Sequence, residues 1–133
     1  MRTQPQQVIA KLEADNSRLA KEAILLSAMQ EGLDEFFEGV RMCLDKLYTF
    51  GVKQVPEKDT VISAQGCEWK IFKKLAEQLH RRELTGHAAR DAINLVMGTA
   101  TAEQWNGFYR RILIKDLRCG VSEKTVNSVA TKN

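Results

Sequence analysis

Apolar residues return every three or four positions along almost the whole of this chain, and that period admits little besides amphipathic helices packed around a shared core. The expected fold class is therefore all-α, a compact bundle-like domain of several helices. With 133 residues the chain has the usual size of one domain and too little length for two independent cores, so one domain is expected over residues 1–133. No run nears the roughly 18 consecutive apolar residues of a membrane helix, and the polar start Met1-Arg2-Thr3-Gln4-Pro5-Gln6-Gln7 is no hydrophobic leader. The expectation is a soluble, cytoplasmic, monomeric protein. Cys43, Cys67 and Cys119 are odd in number and far apart, which predicts reduced, buried thiols and not a disulfide framework or a metal pair.

The period places the elements. A first helix turns Val8, Ile9 and Leu12 inward and stops near Asp15-Asn16, after which Asn16 or Ser17 caps a second helix presenting Leu19, Ala23, Leu26 and Met29. Gly32 precedes a longer helix with the stripe Leu33, Phe36, Phe37, Val40, Leu44 and Leu47. Periodicity lapses from Phe50 to Gly66, a long connection in which Thr60-Val61-Ile62 is expected to be briefly extended. Four helices follow. The first, with Trp69, Phe72, Leu75, Ala76 and Leu79 on one face, stops at Leu84-Thr85-Gly86, and the second runs from about His87 to Met97 and is closed by Gly98. Thr101-Ala102-Glu103-Gln104 is a capping box that opens a helix carrying Trp105, Phe108, Tyr109, Ile112 and Leu113, and Ser122 caps the last helix. Trp69 and Trp105 belong to apolar faces and are expected in the core. Asp34, Glu35, Glu38 and Asp45 read as the solvated side of a helix and not as paired catalytic carboxylates. His80 and His87 have no third ligand at metal-binding spacing.

Charge is distributed unevenly. Residues 1–66 carry 8 Lys+Arg against 10 Asp+Glu, a balance of −2, whereas residues 67–133 carry 12 against 7, a balance of +5. A polyanion would dock mainly on the second half. There, the basic helix through Arg110, Arg111 and Lys115 leads by way of Arg118 and Gly120 into the helix that starts at Ser122 and carries Lys124. A glycine able to take positive φ, followed by the unpaired N–H groups of a helix start, suits a phosphate. A second basic helix end, Arg81-Arg82, precedes Thr85-Gly86-His87 and another helix. On spacing alone, ordinary glycine C-caps followed by N-caps account for both turns better than a phosphate site does.

The stretch Phe108 to Val126, with Lys115-Asp116-Leu117-Arg118-Cys119-Gly120-Val121-Ser122 at its centre, resembles the signature near the end of the DNA-binding domain of ATP-dependent DNA ligases. Leu84-Thr85-Gly86-His87-Ala88-Ala89 resembles the matching turn of T-even phage-type ligases, in the right order. The resemblance implies a small helical domain that docks on the minor groove on both sides of a nick, through phosphates and sugars and without sequence preference. It brings Thr85, Gly86, Arg118, Gly120 and Ser122 to the DNA. Arg81, Arg82, His87, Arg111, Lys115 and Lys124 are added as flanking contacts.

Such ligases attach AMP to the lysine of a Lys-x-Asp-Gly motif, and no lysine here is followed by that pattern. The resemblance thus places ATP, Mg²⁺ and the nucleotidyltransferase and OB-fold domains outside these residues, in cis or in a separate subunit, and expects no cofactor here. Two other readings stay open on the residues alone. One is a phage regulatory helix-turn-helix with sequence preference; the other is a protein-interaction domain whose basic faces are only solvated surface.

Overall fold

The computed structural model describes residues 3–52, 54–59 and 64–131. Among them the chain forms seven helices and no strand: α1 (Pro5–Ala14), α2 (Arg18–Gln30), α3 (Asp34–Leu44), α4 (Trp69–His80), α5 (Gly86–Thr99), α6 (102–113) and α7 (Glu123–Thr131). Helix α6 is composite, an α-helical turn Ala102–Gln104 passing through a π-helical segment Trp105–Tyr109 into a second α-helical turn, Arg110–Leu113. The predicted Thr60-Val61-Ile62 segment lies outside the described residues.

Local chemistry sets most helix starts. Ser17 Oγ accepts from Ala20 N–H at 3.4 Å and Ser122 Oγ from Thr125 N–H at 3.3 Å, as N-caps do. The capping box at α6 closes in both directions, Gln104 N–H donating to Thr101 Oγ1 at 3.1 Å and Thr101 N–H to Gln104 Oε1 at 3.0 Å.

Helix α6 lies at the centre. Its Trp105, Phe108, Ile112 and Leu113 are buried, Phe108 stacks on Phe36 of α3 at 6.1 Å, and Tyr109 stacks on Phe72 of α4 at 4.4 Å. Helix α1 packs on the π segment, α2 joins α1 to α7, and α4 pairs with α5. Trp69 and Trp105 are both core residues, their indole N–H groups donating to Glu38 Oε2 at 3.0 Å and Pro56 O at 2.8 Å. All three cysteines are free and buried; burial pushes the Cys43 thiol up to about 12, so it stays protonated and inert. No helix among the described residues is long and apolar enough to cross a membrane.

Four expectations need correction. Helix α2 buries Leu25 and Ala28, not Leu19 and Ala23, because its contacts are with α1 and α7 and the face between them is set by that wedge. Helix α3 ends at Leu44, so Leu47 is not on its stripe and is 87% exposed. Helix α4 stops at His80, ahead of Leu84. Gly98 does not close α5, which runs on to Thr99.

The end of α5 shows what replaces a glycine cap. A helix leaves its last four carbonyls unpaired, and here each finds a partner. Ala100 N–H and the Thr99 hydroxyl bond to Val96 O, both at 3.0 Å, and Gly66 N–H bonds to Thr99 O at 2.9 Å. Lys58, only 6% exposed, reaches out of the long connection and donates to Met97 O at 2.7 Å, Gly98 O at 3.1 Å and Ala100 O at 2.6 Å. Its own N–H and carbonyl pair with the Asn106 side chain, both at 2.8 Å. With Val55 buried and Val55 O accepting from Arg110 Nε at 2.8 Å, the described part of the connection is pinned across α5 and α6.

Replacing Lys58 by Met keeps the stem but strands two helix-end carbonyls and Ala100 O, so stability should fall by about 2–3 kcal/mol in urea unfolding. Gly39 faces α6 so closely that an added Cβ would sit 2.5 Å from Phe108 Cζ and 2.8 Å from Ile112 Cδ1. Gly39→Ala is therefore expected to lose about 1–2 kcal/mol in the same assay, overpacking outweighing alanine's better helix propensity.

Candidate nucleic-acid interface

Two of the helix ends break a steric rule in the same way. Helix α2 ends as most do, with Gly32 at φ 72° and Gly32 N–H and Leu33 N–H returning to Met29 O and Ala28 O. The ends of α4 and α6 have the same hydrogen-bond pattern, yet the left-handed residue is Arg82, φ 62°, in one and Lys115, φ 59°, in the other. Arg82 N–H bonds to Leu79 O at 3.2 Å and Glu83 N–H to Gln78 O at 2.9 Å; Lys115 N–H bonds to Ile112 O and Asp116 N–H to Arg111 O, both at 3.0 Å. A side chain in this region costs about 1 kcal/mol. Glycine would avoid that cost, but it has no side chain to offer.

The side chains account for the choice, since both reach the strip that follows α3. Lys115 Nζ donates to Met42 O at 3.0 Å, Asp45 O at 2.6 Å and Tyr48 O, and burial lowers its pKa from the ordinary lysine value, with Cys43 and Asp45 opposing. Arg82 donates to Thr49 O at 3.2 Å, Leu79 O at 2.8 Å and Thr49 Oγ1 at 3.1 Å. The two turns are thus fastened to adjacent residues, Tyr48 and Thr49, and flank one strip of chain. His80 belongs to this fastening: its ring stacks on Tyr48 at 4.0 Å and Thr49 N–H donates to its Nδ1 at 3.3 Å.

After Arg82 and Lys115 comes an acid, then a leucine, and a glycine closes the turn, Arg82-Glu83-Leu84-Thr85-Gly86 and Lys115-Asp116-Leu117-Arg118-Cys119-Gly120; within the second, Arg118 is left-handed as well, φ 54°. Neither glycine is the helix cap that spacing alone allowed. Gly86, φ 55°, opens α5, and Gly120, φ 69°, precedes Ser122 and α7. Around Gly86 a Cβ would meet nothing within 4 Å, so its Cα face is open. Around Gly120 a Cβ would fall on Lys21 Nζ, which donates to Cys119 O at 2.9 Å.

The residues singled out from the sequence divide accordingly. Arg81, Thr85, Gly86, His87, Arg118, Gly120, Ser122 and Lys124 are exposed, Arg81 and Arg118 lying beside the carboxylates of Glu83 at 3.8 Å and Asp116 at 3.7 Å. Arg82, also exposed, and the half-buried Arg111 and Lys115 bond to carbonyls of their own chain; Arg111 bonds to Asn106 O at 3.1 Å and Leu117 O at 3.0 Å and pairs with Glu13 at 3.5 Å. The structure also brings in residues that the sequence reading passed over. Lys21 comes from α2 to the second turn. Arg90, one helical turn beyond Gly86, lines with Asn94 and Gln54 a groove between α5 and the described residues 51, 52 and 54–56. The spacing from Gly86 could have flagged Arg90; nothing local could have flagged Lys21.

No family profile and no curated protein sequence matches the chain. Solved structures do. Over 98% of its length the chain superposes on "Pmar-Lig_Pre.", a DNA ligase, with a TM-score of 0.94 and 58% identical residues. The chain matches part of a DNA ligase. A second ligase structure, "Pmar-Lig_PreS3", gives the same TM-score of 0.94 at 59% identity over 98% of the chain. The chain spans 30% of the length of each of these ligase chains.

The two glycines should respond unequally to alanine. Gly86→Ala introduces left-handed strain alone, about 1 kcal/mol, whereas Gly120→Ala also displaces Lys21 from Cys119 O and should cost about 1 kcal/mol more. Thermal unfolding of the two variants measures the difference.

Proposed function

We propose that this chain is the DNA-holding domain of an ATP-dependent DNA ligase of the phage type. It grips a duplex across a nick by its sugar–phosphate backbones, from the minor-groove side and without reading sequence. Residues outside these 133, in the same polypeptide or a partner subunit, carry the nucleotidyltransferase chemistry with ATP and Mg²⁺. The observation that carries this reading is the 58% identity with part of a ligase at a TM-score of 0.94.

The geometry adds a physical account of the grip. Thr85-Gly86-His87 and Arg118 to Ser122 each offer a turn with a left-handed glycine in front of a helix start, where N–H groups and the helix dipole favour an anion. Arg81, Arg118 and Lys124 contribute mobile charge beside them. Arg82, Lys115 and Arg111 hold the turns in place through carbonyls, and because a carbonyl is neutral their charge still adds to the field around the turns. Contacts aimed at phosphates carry no base information, as a sealing enzyme needs.

Binding of the chain to a nicked duplex across a salt series tests the proposal. Log affinity should fall steeply and linearly with log salt, and random-sequence duplex should compete as well as the labelled sequence. Arg118→Ala should flatten the slope by about 1 unit, the loss of one phosphate contact. A chain that binds no duplex even at low salt, or only one sequence, would sink the reading.

A further inference from the structure

A leucine stands between the two turns. Beyond Leu44 the chain does not loop back; it makes a tight corner in which Leu47 N–H donates to Asp45 Oδ1 at 2.9 Å and Tyr48 N–H to Asp45 O at 3.1 Å. From there residues alternate. Tyr48 turns in against Phe50 and His80, at 5.4 and 4.0 Å between rings, and Phe50 is buried, while Leu47 and Thr49 face out. Leu47 is 87% exposed, the largest exposure among the big apolar side chains of the described residues.

An exposed leucine on a loose loop would mean nothing, because single surface leucines are ordinary. This one is held rigidly. Lys115 binds the carbonyls on both sides of it, Asp45 O and Tyr48 O, and Arg82 binds Thr49 O, so one strained basic residue from each turn fixes this corner. The corner's tip is Lys46-Leu47, a cation next to a bare aliphatic group, with a phosphate-suited turn on either side.

We propose that Leu47 is a DNA-contacting residue, its side chain entering the minor groove between the two backbones that the turns hold. This rests on the proposed function and adds to it an apolar contact. The minor groove of B-DNA is narrow and floored by sugars and base edges, and proteins that dock there commonly insert apolar side chains into it. A leucine on a fixed corner suits that floor and is poorly suited to solvent, and Lys46 beside it offsets the Asp45 carboxylate that accepts from Leu47 N–H. The contact reads groove shape and not sequence.

The test is titration of nicked duplex with the native chain, Leu47→Ala, Leu47→Met and Arg118→Ala, each over a salt series. Leu47→Ala should bind about tenfold more weakly, the factor that burying part of a leucine represents. Its salt slope should equal the native one, since no counterion is involved, whereas Arg118→Ala flattens the slope. Leu47→Met, of similar volume, should restore most of the affinity. Exposure of the side chain means that all Leu47 variants keep the native melting temperature. Binding by Leu47→Ala within twofold of native, while the native chain binds with a steep slope, would overturn the Leu47 contact and leave the domain's function standing. Absence of salt-dependent binding by the native chain would overturn both.

Discussion

The carbonyl oxygens left over where helices stop are the constraint around which this domain is built. Each unpaired backbone acceptor buried away from water carries a penalty of about 1–3 kcal/mol, so a short bundle with many helix ends must find donors for all of them. Here the donors are lysine and arginine side chains arriving from far along the chain. Lys58 closes α5 from the long connection and Lys115 closes α3 from beyond α6, while Lys21 crosses from α2 to a turn carbonyl, Cys119 O. These bonds fasten loops to helices, and they decide where both glycine turns lie.

That use of charge also corrects a simple reading of electrostatics. A balance of +5 in residues 67–133 suggests a broadly cationic face. Yet Arg82, Arg110, Arg111 and Lys115 all donate to carbonyls of their own chain. The exposed basic side chains beside the turns are a smaller set, Arg81, Arg90, Arg118 and Lys124, of which Arg81 and Arg118 lie beside the carboxylates of Glu83 and Asp116.

Much of the fold was legible because helix period and capping chemistry are local. Val8, Ile9 and Leu12, the Trp69 to Leu79 face, the Thr101–Gln104 box and the Trp105 to Leu113 stripe all lie where the pattern put them. The failures have one cause, an interaction with a distant partner. Helix α2 is rotated from its strongest apolar stripe because α1 and α7 both press on it. Gly98 is passed over because Lys58 completes the end of α5. At the candidate site, the positive φ of Gly86 and Gly120 followed from residue type. The carbonyl partners of Arg82 and Lys115 did not, since a lysine that caps a helix 70 residues away looks in sequence like any other lysine.

The π-helical segment gives the domain an angular setting as well as a core. Over Trp105–Tyr109 the backbone bonds skip one residue further than in an α-helix, as from Arg110 N–H to Trp105 O, which takes one extra residue into the turn. In an α-helix one residue corresponds to about 100° of rotation. Everything downstream, Lys115 and the turn through Gly120 included, therefore points in a direction fixed by that one residue. Substitutions can drift along this helix, but the count of residues within it cannot change. A deletion there would reset Trp105 against Phe108, Ile112 and Leu113, so the packing of the aromatic core and the direction of the second turn are set by the same residue count.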